Sequence, residues 1–151
     1  MYQRILVAVD GSQSASLAVD QAIILAKATG AEVKALFVVD DNDLFLDLKY
    51  SDPTDLLEKV MTYGQATLTR TVDRFRAAGI PGVTHLIERT NTLGLVADTI
   101  AAEADKWKAD LIVLGTHGRR GFRRTVMGSV SEGVIRRTCL PVLLTRSEVE
   151  R

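Results

Sequence analysis

Between Gly115 and Gly133 the chain reads GTHGRRGFRRTVMGSVSEG, five glycines and four arginines with only short apolar pieces between them. Glycine is costly inside helices and strands, so its clustering marks backbone that something must approach closely. Gly115, Gly118, Gly128 and Ser129 stand in the spacing Gly-x2-Gly-x9-Gly-Ser, after a strand-like segment and before a helix-like one. N–H groups bared by glycine, with the unpaired N–H groups of a helix start, make a positively polarised cup for an anion. Ser129 and Ser131 can add hydroxyl donors, and Arg119, Arg120, Arg123 and Arg124 could lay guanidinium groups over phosphate oxygens. The same composition also suits a solvated surface loop, because glycine-rich loops are common.

Other reactive side chains are sparse. There is no Gly-x4-Gly-Lys-(Ser/Thr) and hence no P-loop lysine, no Ser-Gly-Gly motif, and no cluster with metal-ligand spacing. His117, between glycines, reads as a solvated group or a phosphate donor rather than a catalytic base. His85 alternates within a strand-like run and reads as structural. Asp10 could meet a ligand or simply cap the first turn. Cys139 is the only cysteine, which excludes an internal disulfide and fits a reducing compartment; it is expected to pack as a small apolar residue. The run DDNDLFLD, Asp40 to Asp47, has the acidity of a calcium loop without its glycine or terminal glutamate. Its Leu44, Phe45 and Leu46 suit a cover over the site or a neighbour instead.

The elements that would position these groups follow from hydrophobic periodicity. Arg4 to Asp10 is a short β-branched apolar run, which predicts a strand buried on both faces. Ser12 or Ser14 can cap a helix whose Gln13, Ser16, Asp20 and Lys27 share one polar face, and Gly30 ends it. Glu32 to Asp40 is a second strand. Asp52 as cap, Pro53 at the first position and Asp55 in the first turn start a helix running to Gly79, with Leu57, Val60, Met61, Gly64, Leu68, Val72 and Phe75 on one stripe. Val83 to Glu88 is a third strand. Leu93, Val96, Ala97, Ile100, Ala101, Ala104 and Trp107 mark the next amphipathic helix, Trp107 on its core stripe. Asp110 to Gly115 and Pro141 to Thr145 are two more strands, separated by the glycine loop and a helix carrying Val130, Val134 and Ile135.

Strict alternation of strand and helix predicts an α/β fold, a parallel sheet with helices on both faces. Ligands of such sheets sit outside the carboxyl ends of the strands, where the winding reverses. Asp10, Val39, Asp40, Glu88 and Gly115 all fall at those ends.

The 151 residues are expected to form one domain with a core of its own. Nineteen basic and nineteen acidic side chains cancel, so no global field favours nucleic acid or an anionic membrane. No apolar run approaches the ~18 residues of a membrane helix, and the amino-terminal MYQRILVAVDGS reads as a strand rather than a signal peptide. The cytoplasm is the expected compartment.

The segment GTHGRRGFRRTVMGSVSEGVIRRTCLPVLLT resembles the carboxyl-terminal signature of the universal stress protein family, whose nucleotide-binding members carry Gly-x2-Gly-x9-Gly-(Ser/Thr). ILVAVDGS resembles the family's first strand and its acidic turn, and ADLIVLGTHG its fourth strand. The resemblance implies an open five-stranded sheet in the order 3-2-1-4-5 and a Rossmann-like site between the first and fourth strands. It implies adenine near Asp10 and the end of the second strand, with the backbone of Val38 or Val39 as its edge, and ribose near Asp10 and Gly115. ATP phosphates would lie along Gly118, Gly128, Ser129, Val130 and Ser131, accompanied by Mg2+ or Mn2+, and Ala8, Ser12, His117, Arg119 and Met127 complete the nucleotide-binding set. It implies a homodimer through Pro141 to Thr145, pairing antiparallel, and a role in stress tolerance. The turn ERTNTLG after the third strand departs from the family's Gly-x-Pro or Gly-x-Ala. Cyclic AMP binding, slow ATP hydrolysis and a nucleotide-independent interaction role are the alternatives.

Overall fold

The structure, a computed structural model, describes residues 1–39, 53–88, 96–116 and 128–147. Along the chain run β1 (Arg4–Ala8), α1 (Gln13–Thr29), β2 (Glu32–Val38), α2 (Pro53–Ala78), β3 (Gly82–Ile87), α3 (Val96–Trp107), β4 (Leu111–Gly115), α4 (Ser129–Arg137) and β5 (Val142–Thr145). The strands form one parallel sheet in the order β3-β2-β1-β4-β5, as the family resemblance implies.

Ile5, Leu6 and Val7 of the central strand β1 are fully buried, which is why that run is apolar without alternation. Ile5 and Val7 face a core built with α1 and α2, through Val19, Ala22, Leu68 and Phe75. Leu6 faces the other core, built with α3 and α4 through Ile100, Ala104 and Val134. The chain thus changes faces between β3 and β4 and returns past β1. Val7 pairs with Val113 across the junction where the winding reverses.

Helix boundaries follow local chemistry. Ser12 is the N-cap of α1, its Oγ accepting from Ala15 N at 3.1 Å. Gly30 closes the helix in the left-handed region at φ +76°, its N–H donating to the Ala26 carbonyl at 2.8 Å. Helix α2 starts at Pro53 with Asp55 in its first turn, while the expected cap Asp52 lies outside the described residues. Leu93 and the acidic run from Asp40 also lie outside them.

Two expectations, the strand ends and Cys139, need correction. β1 and β2 stop two residues short of Asp10 and Asp40: the Asp10 carboxylate takes the Ser12 amide and turns the chain, and Val39 N to the Ile87 carbonyl is the last ladder bond among the described residues. Trp107 packs against the core that Leu6, Ile100 and Ala104 share, as its place on the stripe predicts. It ends α3 half-buried at the amino-terminal rim of the sheet, with the Arg4 and Lys34 cations each 5.6 Å from its ring centroid. Cys139 is exposed, in the connection between α4 and β5. On α4 Ser131, Gly133 and Val134 are buried, while Val130 is 37% and Ile135 42% exposed, because α4 rests on α3 along a narrow seam.

Candidate functional site

At the carboxyl end of β1 the chain makes a tight turn. The part-buried Asp10 accepts the Ser12 amide on Oδ1 at 2.9 Å, and Gly11 takes φ +85°. Asp10 therefore does cap the turn, and this fixes its carboxylate at the strand end. Ser12 faces into α1 as its cap and serves the same turn.

Beside this turn, on the α3 face, Ala8, Val38, Ile87 and Val96 are half-buried apolar residues at three strand ends and the start of α3. They form a low apolar floor. Val39 differs from Val38: its side chain is fully buried in the opposite core and its amide donates to the Ile87 carbonyl at 3.0 Å. Of the two valines, Val38 is the one whose side chain lines the floor.

Across the winding reversal, β4 ends at Gly115 and Thr116. Gly115 is a glycine because α1 packs directly on it: a Cβ there would come within 2.7 Å of the Ser14 carbonyl carbon. Buried Thr116 ties the end of β4 to β5 and to the start of α4. Its N–H donates to the Thr145 carbonyl at 2.8 Å, and its own carbonyl accepts from Gly128 N at 2.6 Å and from Ser131 Oγ at 3.3 Å. Ser14 and Thr145 complete the join: Ser14 Oγ donates to the Thr145 carbonyl at 3.1 Å, and Thr145 Oγ1 contacts the carbonyls of Ser14 and Leu114 at 2.9 and 3.2 Å.

These bonds anchor the amino end of α4 on the sheet rim. Its N-cap is Gly128, which has no side chain to offer the first turn, and no side-chain cap bond forms. Ser129, Val130 and Ser131 thus present first-turn N–H groups that have no acceptor within the helix. Ser129 and Val130 are exposed. Ser131 is 2% exposed and its hydroxyl points inward to the Thr116 and Gly128 carbonyls, so its outward resource is the amide. Glu132, the acid of the first turn, accepts from Arg136 at 2.8 Å one turn further along. The arrangement suits an anion at the helix end and a planar apolar group on the floor.

Ala8, Asp10, Ser12, Gly115, Gly128, Ser129, Val130 and Ser131 are thereby brought to one edge of the sheet. His117, Gly118, Arg119 and Met127, with Arg120, Arg123 and Arg124, lie outside the described residues. Glu88 is exposed beyond β3. Thr116 was not singled out from the sequence, and Ser14 was named only as an alternative cap, a role that falls to Ser12: what they do instead depends on partners up to 131 positions away, which no local pattern encodes.

A second polar cluster lies away from this edge. Glu103 of α3 is buried against Lys34 Nζ at 2.8 Å and His85 Nδ1 at 3.1 Å. Burial pushes its carboxyl pKa up, but the hydrogen bonds and charges of Lys34 and His85 outweigh that and hold it below the ordinary glutamate value. The structural reading of His85 holds. Among the described residues, no three His, Cys, Asp or Glu side chains gather as a metal site.

Comparison with known proteins adds three findings. The pattern of the Universal stress protein family matches residues 1–146. A universal stress protein of Methanocaldococcus jannaschii is 35% identical over 147 residues, covering 97% of this chain and 83% of its own. Among solved structures, the universal stress protein from Archaeoglobus fulgidus in complex with dAMP has a TM-score of 0.70 and 25% identity, covering 95% of this chain and 98% of its own. A universal stress protein in complex with cAMP has a TM-score of 0.62 and 28% identity, covering 95% of this chain and 96% of its own.

Proposed function

The chain belongs to the universal stress protein family, and from that premise we propose that it is an ATP-binding regulatory protein of the stress response. The nucleotide lies across the carboxyl edge between β1 and β4. The observation that carries this reading is the side-chain-free start of α4, anchored on Thr116 and facing the sheet edge that holds Asp10. A helix of this kind favours an anion by ~0.3–1 kcal/mol for each well-placed charge. The apolar floor of Ala8, Val38, Ile87 and Val96 takes the adenine, with the backbone near Val39 as its polar edge. Asp10 and Gly115 flank the ribose. The phosphates run along Gly118, Gly128, Ser129, Val130 and Ser131, with His117, Arg119 and Met127 beside them. Relatives of this fold with dAMP and cAMP bound support an adenine ligand.

Mg2+ or Mn2+ enters with the triphosphate, held chiefly by phosphate oxygens. No dedicated catalytic apparatus is assigned, and slow ATP hydrolysis is the most the site would perform. The protein acts as a single universal stress protein domain in the cytoplasm; among the described residues no helix is long and apolar enough to cross a membrane. It pairs with a second copy through Pro141 to Thr145.

Native mass spectrometry of freshly purified protein would read co-purified nucleotide and subunit number together. Titration calorimetry with ATP, ADP and cyclic AMP then ranks the ligands. ATP should saturate one site per chain. Saturation by cyclic AMP alone would move the assignment to that ligand, and no saturation by any of the three would remove nucleotide binding.

A further inference from the structure

Tyr63 of α2 belongs to none of the segments that would touch a nucleotide, yet it lies directly against the turn that carries Asp10. Its Oη is 3.5 Å from the Asp10 carbonyl oxygen, and a Cβ added to Gly11 would come within 2.6 Å of the ring carbon Cζ. The backbone of Gly11 and the end of the phenol are therefore in van der Waals contact. The ring is itself held. It meets Phe37 of β2 edge-on, centroids 6.1 Å apart at 68°, and Phe37 is buried. The next residue, Gly64, sets the depth of α2: a Cβ there would lie 2.8 Å from both Phe37 and Leu86, so the helix rests on β2 and β3 by its backbone.

We propose that Tyr63 is a positioning residue for the nucleoside half of the ligand, acting through the Asp10–Gly11–Ser12 turn. The inference rests on the nucleotide reading given above. Glycine at φ +85° can visit many other conformations at little cost, so the sequence of the turn does not by itself fix where the Asp10 carboxylate points. Two restraints remove that freedom: the bond from Ser12 N to Asp10 Oδ1, which is internal to the turn, and the ring of Tyr63, which blocks the space the turn would swing into. A group held before the ligand arrives costs less to order on binding. The phosphate end of the site is anchored separately, through Thr116 and Gly128.

That separation gives the test. Calorimetry is run on wild type, Tyr63→Leu and Tyr63→Phe with two probes, Mg-ATP and Mg-tripolyphosphate, the second lacking a nucleoside. Tyr63→Leu should weaken Mg-ATP about tenfold while tripolyphosphate stays within about twofold, and Tyr63→Phe, which keeps the plane, should stay within about threefold for both. Should Tyr63→Leu fail to fold, Tyr63→Met keeps the volume without the plane and carries the same expectation. Unchanged ATP affinity in Tyr63→Leu overturns the proposal, and so does a parallel loss of tripolyphosphate, which would mark general loosening. Both of those outcomes presuppose a wild type that binds ATP. A wild type that binds no nucleotide ends the functional reading and this inference together.

Discussion

Gly115 and Glu103 show how a single side chain, present or missing, can be assigned a cause. Because the Ser14 carbonyl carbon lies where a methyl group at Gly115 would go, Gly115→Ala must push α1 off β4. The expected loss is ~1–3 kcal/mol, seen as a lower urea midpoint at unchanged slope; an unmoved midpoint would show that α1 yields freely. At Glu103 the carboxyl pKa is depressed in the folded state, so the unfolded chain takes up the proton first as pH falls. Its stabilisation is full above about 4.5, the ordinary glutamate value, and drains as pH drops through the lower folded value. Glu103→Gln leaves Lys34 without its countercharge and should cost ~2–3 kcal/mol at neutral pH. The gap between variant and wild type should then narrow below pH 4.5 in a urea-denaturation series. A gap constant down to pH 3, roughly the floor for an unperturbed acid, would contradict the assignment.

The element on which the proposed function rests is α4, and the glycines at its cap and within it do different work. Gly128 has φ −65° and ψ 158°, a conformation any residue adopts, so Gly128→Val should leave the fold and helical content intact while its side chain crowds the helix mouth. ATP affinity should fall beyond detection in calorimetry, as it should for Gly118→Val. Retained affinity would put the anion elsewhere. Gly133 instead lets α4 close on α3, a Cβ there lying 2.7 Å from Ala97 Cβ. Gly133→Val should therefore lower thermal stability and affinity together, a pairing that circular dichroism and calorimetry separate from the Gly128 result. Much of this element's context was legible locally. Ser12, Gly30 and Pro53 mark helix ends through chemistry within a few residues, and the short apolar runs placed all five strands within two residues of their observed ends. Cys139 was misjudged because its surroundings depend on which elements meet, and a small apolar residue beside a strand says nothing of that. Val38 was distinguishable from Val39 only once the two sheet faces were known. The spacing from Gly115 to Ser129 singled out the rim, but Tyr63 comes to it from another helix and left no sign in that motif.

At the scale of the whole molecule, β5 borders the sheet with one side unmatched among the described residues. The carbonyls of Pro141 and Thr145 accept from Ile112 and Thr116 of the β4 side, so by strand alternation the backbone groups of Val142 and Leu144 point outward. That edge is the surface on which a second copy would add its own β5. Val142→Pro removes an outward N–H and leaves the inward bonds, so sedimentation should show self-association weakened about tenfold or more with the subunit fold kept. A wild type that sediments only as a monomer at micromolar concentration would count against the edge as an interface. The join between Ser14 and Thr145 has a consequence in time. The two residues are 131 positions apart, and at ~5–20 residues per second of synthesis the first is made roughly 7–26 s before the second. Through that interval the start of α1 lacks the hydroxyl and carbonyl that will close it, and over the last part of it β4 has been made without β5 to cover its edge. A ribosome that stalls before codon 145 would hold out an unsealed sheet for neighbouring nascent chains to pair with, so the final strand limits how soon the first helix is secure.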